Sequence, residues 1–415
     1  MADDTTTDAV ELDRSGAHPL RVISGWSSMA KDATRLSRGW QDILTMDQFQ
    51  ELGDTVMRRL NEALDQVPRE LRPRDSAMMT RHVEMMTRFG MLWQGGCRIL
   101  SISPDLQEAI RLSELDAVRL GDVRLPHERF YVAFPGGLGL RMEDTDAEGH
   151  ATTSEVDGAY VLSHEAEDGR ISLEVVVTGR RIDDDPHDLP WPLRKEDHYT
   201  FHIKGQTEDT FEDAVGFAIK SGLLDTEVDQ GQVDQFRESI VATMPDAAAA
   251  GMEIRVPEVT GFERDAMFND RNLGDARKAL AAVLGVVFAL TAKPELEDTT
   301  PRWPSGSPEN LVRDHANSKS PKAVRNVEIA LLKSGFLPIH RVSLDTLKTD
   351  DEQPRGQGRP DGRTVRPHWR AGHFRRQPYG PGRTKTRLIW VLPSFVTGNA
   401  GGEARPGRIE EISRG

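Results

Sequence analysis

The spacing of apolar residues changes from helical to strand-like near Leu125. Residues 45–68 place apolar side chains at three- and four-residue steps behind a Thr-Met-Asp-Gln capping box, which predicts an amphipathic helix. A second, methionine-rich helix is predicted over residues 76–93. A third begins after Ser103, which is an N-cap residue followed by proline at the first helical position. The pattern therefore predicts a helical part over residues 41–120.

Alternating apolar and polar positions follow over residues 125–205. Four runs carry this pattern: "RFYVAF", "GAYVLS", "ISLEVVVTG" and "HYTFHI". Residues 208–296 return to helical spacing, and their most apolar run, "LAAVLGVVFALTA", predicts a buried helix that covers the sheet. The predicted fold class is therefore α+β: a helical N-terminal part, a central antiparallel sheet covered by helices, and a small basic β-rich C-terminal module.

Shifts in composition divide the chain into four predicted segments. Residues 1–40 are an acidic tail that we expect to be disordered, and residues 41–296 form the α+β recognition body. Residues 297–323 are rich in Pro, Ser and charge, which favours a linker. Residues 324–415 form the basic C-terminal module, which we expect to end in a disordered stretch.

Several classes of protein are disfavoured by the composition. Cys97 is the only cysteine, which leaves no internal disulfide and no multi-cysteine zinc site. The acidic start lacks the layout of a signal peptide, and the longest apolar run is too short to span a bilayer. The acidic run at residues 183–188 is typical of a solvated loop. We therefore expect a soluble cytoplasmic protein with no cofactor, no metal and no membrane partner.

Positive charge is concentrated near the C-terminal end of an acidic chain. Residues 363–390 contain seven Arg, one Lys and no Asp or Glu, whereas the whole chain has a net charge of -14. Arginine neutralises phosphates, and an exposed aromatic ring stacks on unpaired bases. The predicted nucleic-acid-binding residues are Arg366, His368, Arg370, His373, Arg375, Arg376, Tyr379, Arg383, Lys385 and Arg387.

A hairpin geometry predicts how these side chains are sorted. If Ala371 and Gly372 form a two-residue turn, three pairs lie opposite one another across the strands: Arg370 with His373, Trp369 with Phe374, and His368 with Arg375. One face is then cationic, and the other is aromatic and packs on the body. The predicted structural residues are Trp369, Gly372, Phe374, Trp390 and Pro393.

Three roles are open for the two histidines of this stretch. In the first, they belong to a surface that only binds nucleic acid. In the second, His368 and His373 are the acid and base of a metal-independent endoribonuclease, with Arg370 and Arg375 as phosphate clamps. In the third, both histidines fix the hairpin by hydrogen bonding.

The quoted stretch "RPHWRAGHFRRQPYGPGR", followed by "RLIWVLPSFV", resembles the C-terminal signature of a known family. That family is the plasmid- and phage-borne type V-A anti-CRISPR proteins that lower the messenger RNA of their target nuclease. The residues that carry the resemblance are Arg366, Pro367, His368, Arg370, Gly372, His373, Gly380, Gly382, Trp390, Pro393, Phe395 and Val396.

The resemblance implies a mobile-element regulatory protein. The resemblance implies recognition of a target polypeptide, nascent at the ribosome, and loss of its mRNA. It leaves the role of the basic module open, and our own expectation is that this module engages RNA or the ribosome. A host ribonuclease is a further expected partner. The endoribonuclease is the first alternative, and a DNA-associated plasmid or phage maintenance factor is the second.

Overall fold

The fold is built on a seven-stranded sheet. The computed structural model describes residues 17–25, 88–92, 96–115, 118–145, 151–164, 171–182, 198–224, 270–347 and 368–396. The strands of this sheet are β1 (Ile99–Ile102), β3 (Arg129–Ala133), β4 (Arg141–Thr145), β5 (Ala151–His164), β6 (Ile171–Arg181), β7 (His198–Gly205) and β8 (Ile339–Val342). A two-residue strand, β2 (Ser113–Glu114), lies outside it.

The strand order is β7-β6-β5-β3-β1-β8, with β4 also paired to β5. The pairs from β3 to β7 are antiparallel, as the alternating runs predicted. However, β1 lies parallel to both β3 and β8, so the prediction of a purely antiparallel sheet is wrong. The reason is connectivity: a helix follows β1 before the chain returns, and such crossovers join parallel strands. The central sheet is therefore mixed.

Helices cover one face of the sheet with a large apolar core. These helices are α2 (Pro104–Arg111), α3 (Phe211–Leu224) and α4 (Asp270–Ala292). The predicted buried helix is confirmed in α4, where residues from Leu280 to Leu290 include a continuous buried run. Among the described residues, no helix is both long and apolar enough to cross a membrane. The helix α4 is therefore a core element.

The opposite face of the sheet is covered by α1 (His18–Gly25), by helical residues 88–92 and by Leu332. This second core contains a buried polar network around Asp157, which is 5% exposed. The Asp157 carboxylate accepts from Arg21 Nη1 at 2.5 Å and from Thr178 Oγ1 at 2.8 Å. The Tyr131 hydroxyl lies 3.3 Å from the same carboxylate, and burial, followed by the charge of Asp157, raises the pKa of that hydroxyl. The first helix is thus held to the sheet through a charged group.

The remaining predicted elements are confirmed only in part. The helix predicted to begin after Ser103 is confirmed as α2, with Pro104 at its first position. The predicted helix at residues 45–68, and the one at residues 76–93 up to residue 87, lie outside the described residues. The segment predicted as a linker, residues 297–323, contains a helix, α5 (Glu309–Asn317).

Part of the predicted C-terminal module lies in the central sheet. Its first helix is α6 (Pro321–Lys333), whose N-cap Ser320 accepts from the backbone N–H of Ala323 at 3.2 Å. The strand β8 that follows belongs to the central sheet, where it pairs with β1. The division of the chain into domains stays a prediction, but β8 itself is part of the body.

A cluster of ionisable residues lies where β1, β3 and β8 begin. Glu297 accepts from His127 Nε2 at 2.9 Å and lies 3.7 Å from Arg98 Nη1. Burial disfavours the ionised form of Glu297, but the bond from His127 and the neighbouring positive charges hold its pKa below the usual value. His340 is buried, and its Nε2 lies 2.7 Å from Arg98 Nη1. Burial, together with the charge of Arg98, lowers the pKa of His340 to about 4.

We predict that His340 makes the fold sensitive to acid. The folded state disfavours the protonated imidazole, whereas the unfolded chain protonates it near the ordinary value of 6.5. Stability from this residue is therefore complete above about pH 6.5 and is lost as the pH falls towards 4. The loss should reach up to about 3 kcal/mol, at about 1.4 kcal/mol per pKa unit. Urea unfolding of the wild type and of His340→Gln, from pH 7 to pH 4, should give a flatter profile for the variant. Parallel profiles would contradict this assignment.

Candidate nucleic-acid interface

The basic stretch forms an antiparallel hairpin. Its strands are β10 (Gly372–Tyr379) and β11 (Lys385–Val391), joined by a turn at residues 380–384. Three residues of this turn have positive φ, namely Gly380 at 80°, Gly382 at 65° and Arg383 at 54°. Glycine adopts this region without a steric penalty, which explains why the chain reverses here. The "YGPGR" sequence is thus the hairpin turn.

The predicted turn at Ala371 and Gly372 is wrong. The strand β9 (His368–Arg370) pairs with β12 (Ser394–Val396), so Arg370 lies opposite Ser394 and His368 lies opposite Val396. The position that β9 would need beside β10 is occupied by β2, which pairs with β10 in parallel at Gly372. The Gly372 N–H also donates to the Leu112 carbonyl at 2.9 Å. The predicted facing pairs therefore do not form.

The inner face of the hairpin packs into the core of the body. Phe374 stacks on Trp390 with 5.5 Å between ring centroids, and it contacts Phe288 of α4 edge-on at 6.0 Å. The indole N–H of Trp390 donates to Ser113 Oγ at 3.0 Å. Gly372 lies so close that an added Cβ would stand 2.3 Å from the same Ser113 oxygen. The hairpin is therefore anchored through its aromatic face.

Pro393 and Trp369 complete the set of predicted structural residues. Pro393 Cδ would lie 2.8 Å from a Cβ at Gly372, so the proline closes the same tight contact from the other side. Trp369 lies in β9 opposite Phe395, and its side chain is outside the described residues.

The outer face of the hairpin is basic and aromatic. Strand alternation from buried Phe374 and Trp390 places the neighbouring residues of each strand on the other side. This outer face is formed by His373, Arg375, Gln377, Tyr379, Lys385, Arg387, Ile389 and Val391. The Arg387 guanidinium lies over the Tyr379 ring, 5.7 Å from its centroid. Tyr379 is 43% exposed, which is unusual for a large aromatic side chain.

The cations of the outer face are not neutralised within the described part of the chain. No carboxylate there lies within ion-pair distance of Arg375, Lys385 or Arg387. Arg383 at the turn and Arg370 in β9 are exposed as well. Because the chain as a whole is strongly acidic, this surface differs in charge from most of the molecule.

Arg376 has a different role from its neighbours. It lies on the inner face opposite Leu388, and its Nε is 2.9 Å from the Asp122 carboxylate, whose side chain is only 9% exposed. Arg376 is therefore engaged in a tether to the body rather than presented with the other cations. Arg366 lies outside the described residues, and the side chain of His368 does as well.

Sequence reasoning missed the contribution of β2 to this surface. In the parallel pair with β10, Ser113 is opposite Gly372 and Glu114 is opposite His373. Ser113 is on the inner face because it accepts from Trp390, so the next residue, Glu114, lies on the outer face. A two-residue strand has too few positions to show alternation, and no local signal could have predicted it. Glu114 is thus an acidic neighbour of the predicted site.

A match to a family model identifies the class of protein to which the chain belongs. A sequence model described as AcrVA2-like, the anti-CRISPR type V subtype A2 family, matches residues 100–398. This match extends from β1 to beyond β12 and covers well over half of the chain. The chain therefore belongs to this family and is an anti-CRISPR-like protein of mobile elements. A search among curated proteins gave no significant match.

Proposed function

We propose that the chain is a mobile-element regulator that lowers the mRNA of a target protein, and that its C-terminal hairpin binds single-stranded RNA. The observation that supports this most directly is the outer face of β10 and β11. Three cations without a described ion-pair partner stand there beside an exposed tyrosine, on a chain of net charge -14. Such a charge distribution attracts an anionic polymer to one place and repels it elsewhere.

The mixture of side chains favours a single strand over a duplex. Tyr379 presents an aromatic ring that can stack on an unpaired base, and stacking tolerates any sequence. In a duplex the bases are already stacked on one another, so the ring could not be used. Arg375, Lys385 and Arg387 provide three positions for backbone phosphates along the same face.

The body is the proposed site of target recognition. Recognition of a polypeptide is what the resemblance of the C-terminal signature implies, and the ribosome is where a nascent polypeptide and its message are found together. A host ribonuclease remains a further proposed partner in lowering the message. Sequencing the RNA and the nascent chains that are captured with the protein from cells would identify the target. Capture of duplex DNA in place of RNA would instead favour a plasmid or phage maintenance factor.

We predict that the triple variant Arg375→Gln, Lys385→Gln, Arg387→Gln loses most of its affinity for single-stranded RNA. Each lost phosphate contact should reduce the slope of log affinity against log salt by about 0.7, or by about 2 for three contacts. Fluorescence anisotropy with a labelled RNA, at salt concentrations from about 50 to about 300 mM, measures the affinity and its salt slope. The wild type should also prefer RNA to duplex DNA in competition.

The matched control removes three exposed cations from other surfaces. These are Lys204 in β7, Arg313 in α5 and Lys322 in α6, each changed to Gln. The control has the same net charge as the hairpin variant, so a general effect of charge would weaken both equally. Equal affinities and equal salt slopes for the two variants would refute the assignment of the hairpin as the RNA-binding surface.

A further inference from the structure

The outer face of the hairpin combines three kinds of chemical group in adjacent positions. His373 lies beside Glu114 across the parallel β2–β10 pair, and Arg375 follows on the same face two residues along β10. A carboxylate, an imidazole and a guanidinium are the groups that can accept a proton, donate a proton and stabilise negative charge on phosphate. None of them requires a metal ion for these tasks.

The orientation of Glu114 follows from its neighbour Ser113. The Ser113 hydroxyl donates to the Ala109 carbonyl at 2.7 Å and accepts from the Trp390 indole, so it lies on the buried side. The next side chain of a strand lies on the opposite side. Glu114 is accordingly exposed, and His373 beside it is half-buried.

Glu114 and His373 are neighbours across the strand pair but do not bond to each other. Paired strands lie about 4.8 Å apart, so the Cα atoms of Glu114 and His373 are close neighbours. Yet within the described residues no hydrogen bond or ion pair joins their side chains. Both groups are therefore available to a third group, such as the ribose and phosphate of a bound strand.

We propose that Glu114, His373 and Arg375 form a metal-independent site that cleaves the phosphodiester bonds of single-stranded RNA. This proposal rests on the proposed function, because the strand must first bind to the hairpin. It replaces the pair predicted from the sequence, since β9 carries His368 into a pairing with β12 and not with β10.

The reaction is an internal transesterification. Glu114 accepts the proton of the ribose 2′-hydroxyl while the 2′-oxygen attacks the adjacent phosphorus. A new O2′–P bond forms, the bond from phosphorus to the 5′-oxygen breaks, and protonated His373 donates its proton to that leaving oxygen. Arg375 stabilises the extra negative charge on the phosphoryl oxygens. The products are a 2′,3′-cyclic phosphate and a free 5′-hydroxyl, and proton exchange with water restores both catalysts.

The experiment uses the highly purified full chain and a labelled DNA strand that contains a single ribonucleotide, in the presence of EDTA. Cleavage should occur only after the ribonucleotide and should yield the cyclic phosphate, identified by mass spectrometry. Glu114→Gln and His373→Asn should each lower the rate by about 10²–10⁴-fold. Both variants retain Arg375, Lys385 and Arg387, so each should still bind the strand, and anisotropy on the same preparations separates a loss of cleavage from a loss of binding.

Two matched controls change the same residue types at exposed positions elsewhere. They are Glu128→Gln and His202→Asn, and both should cleave at the wild-type rate. The wild-type pH profile should be bell-shaped, and each catalytic variant should lose one limb of it.

The possible outcomes separate this proposal from the RNA-binding function. If the wild type binds RNA but does not cleave it, the cleavage site is refuted and RNA binding stands. If the wild type does not bind RNA, the proposed function and the cleavage site are both refuted. If cleavage persists unchanged in Glu114→Gln and His373→Asn, the activity belongs to a contaminant or to another site, and the proposal is likewise refuted.

Discussion

Replacing Asp157 by Ala should lower the free energy of unfolding by about 3–5 kcal/mol, the range for breaking a buried ion pair. The change would remove the carboxylate that pairs with Arg21 in a largely buried position, and Thr178 would lose the same acceptor. Removing one member of a buried ion pair typically costs several kcal/mol, because the opposite charge stays buried. Equilibrium urea unfolding, followed by circular dichroism, measures the difference.

Two further variants make the Asp157 prediction specific. Asp157→Asn keeps the shape and one oxygen acceptor, so its effect should be smaller than that of Ala. Glu208→Ala breaks the exposed ion pair with Arg119, in which the Glu208 side chain is 76% exposed, and should cost under about 1 kcal/mol. An Asp157→Ala variant that is no less stable than Glu208→Ala would contradict the proposed importance of this network.

Replacing Trp390 by Ala should destabilise the protein by about 3–5 kcal/mol, as is typical of removing a large buried aromatic side chain. Trp390 is 2% exposed, stacks on Phe374 and donates to Ser113. Without it the hairpin loses the bond to Ser113 and the stacking that supports Phe374, so RNA binding should weaken although no cation has been removed. Unfolding and anisotropy measurements on the same preparations would test both effects.

Trp390→Phe is the control for this second prediction. Phenylalanine retains an aromatic ring for stacking but cannot donate to Ser113, so the expected loss is smaller and includes about 1 kcal/mol for the hydrogen bond. RNA affinity should then remain close to that of the wild type. If Trp390→Ala leaves stability unchanged, the hairpin is not held by its aromatic face.

Local patterns predicted the strands that are long enough to show alternation. The run at β7 alternates between buried and more exposed positions, whereas the central residues of β3, β5 and β6 are buried on both faces, and all four predicted strands are confirmed. The strands β1 and β8 have only four residues each and are almost entirely buried, so neither alternation nor sheet position could be read from them. Their parallel pairing depends on contacts between distant parts of the chain.

The same distinction explains the result for the site. Composition alone located the basic stretch, because charge does not depend on pairing. The facing residues depended on which strand occupies the edge of β10, and that edge is occupied by β2 from more than 250 residues away. Thus Arg375 and His373 were expected on one face and share it, whereas Glu114 and the tether from Arg376 to Asp122 could not be foreseen.

The pairing of β2 with β10 has a consequence for synthesis of the chain. Ser113 and Trp390 are separated by 277 residues, so their contact has a very high contact order. Chains are synthesised from the N-terminus, and Glu114 is therefore synthesised long before His373. A copy that stops before β10 can contain every strand from β1 to β8 and still lack the outer face of the hairpin. The two halves of that face are joined only after the hairpin has been synthesised.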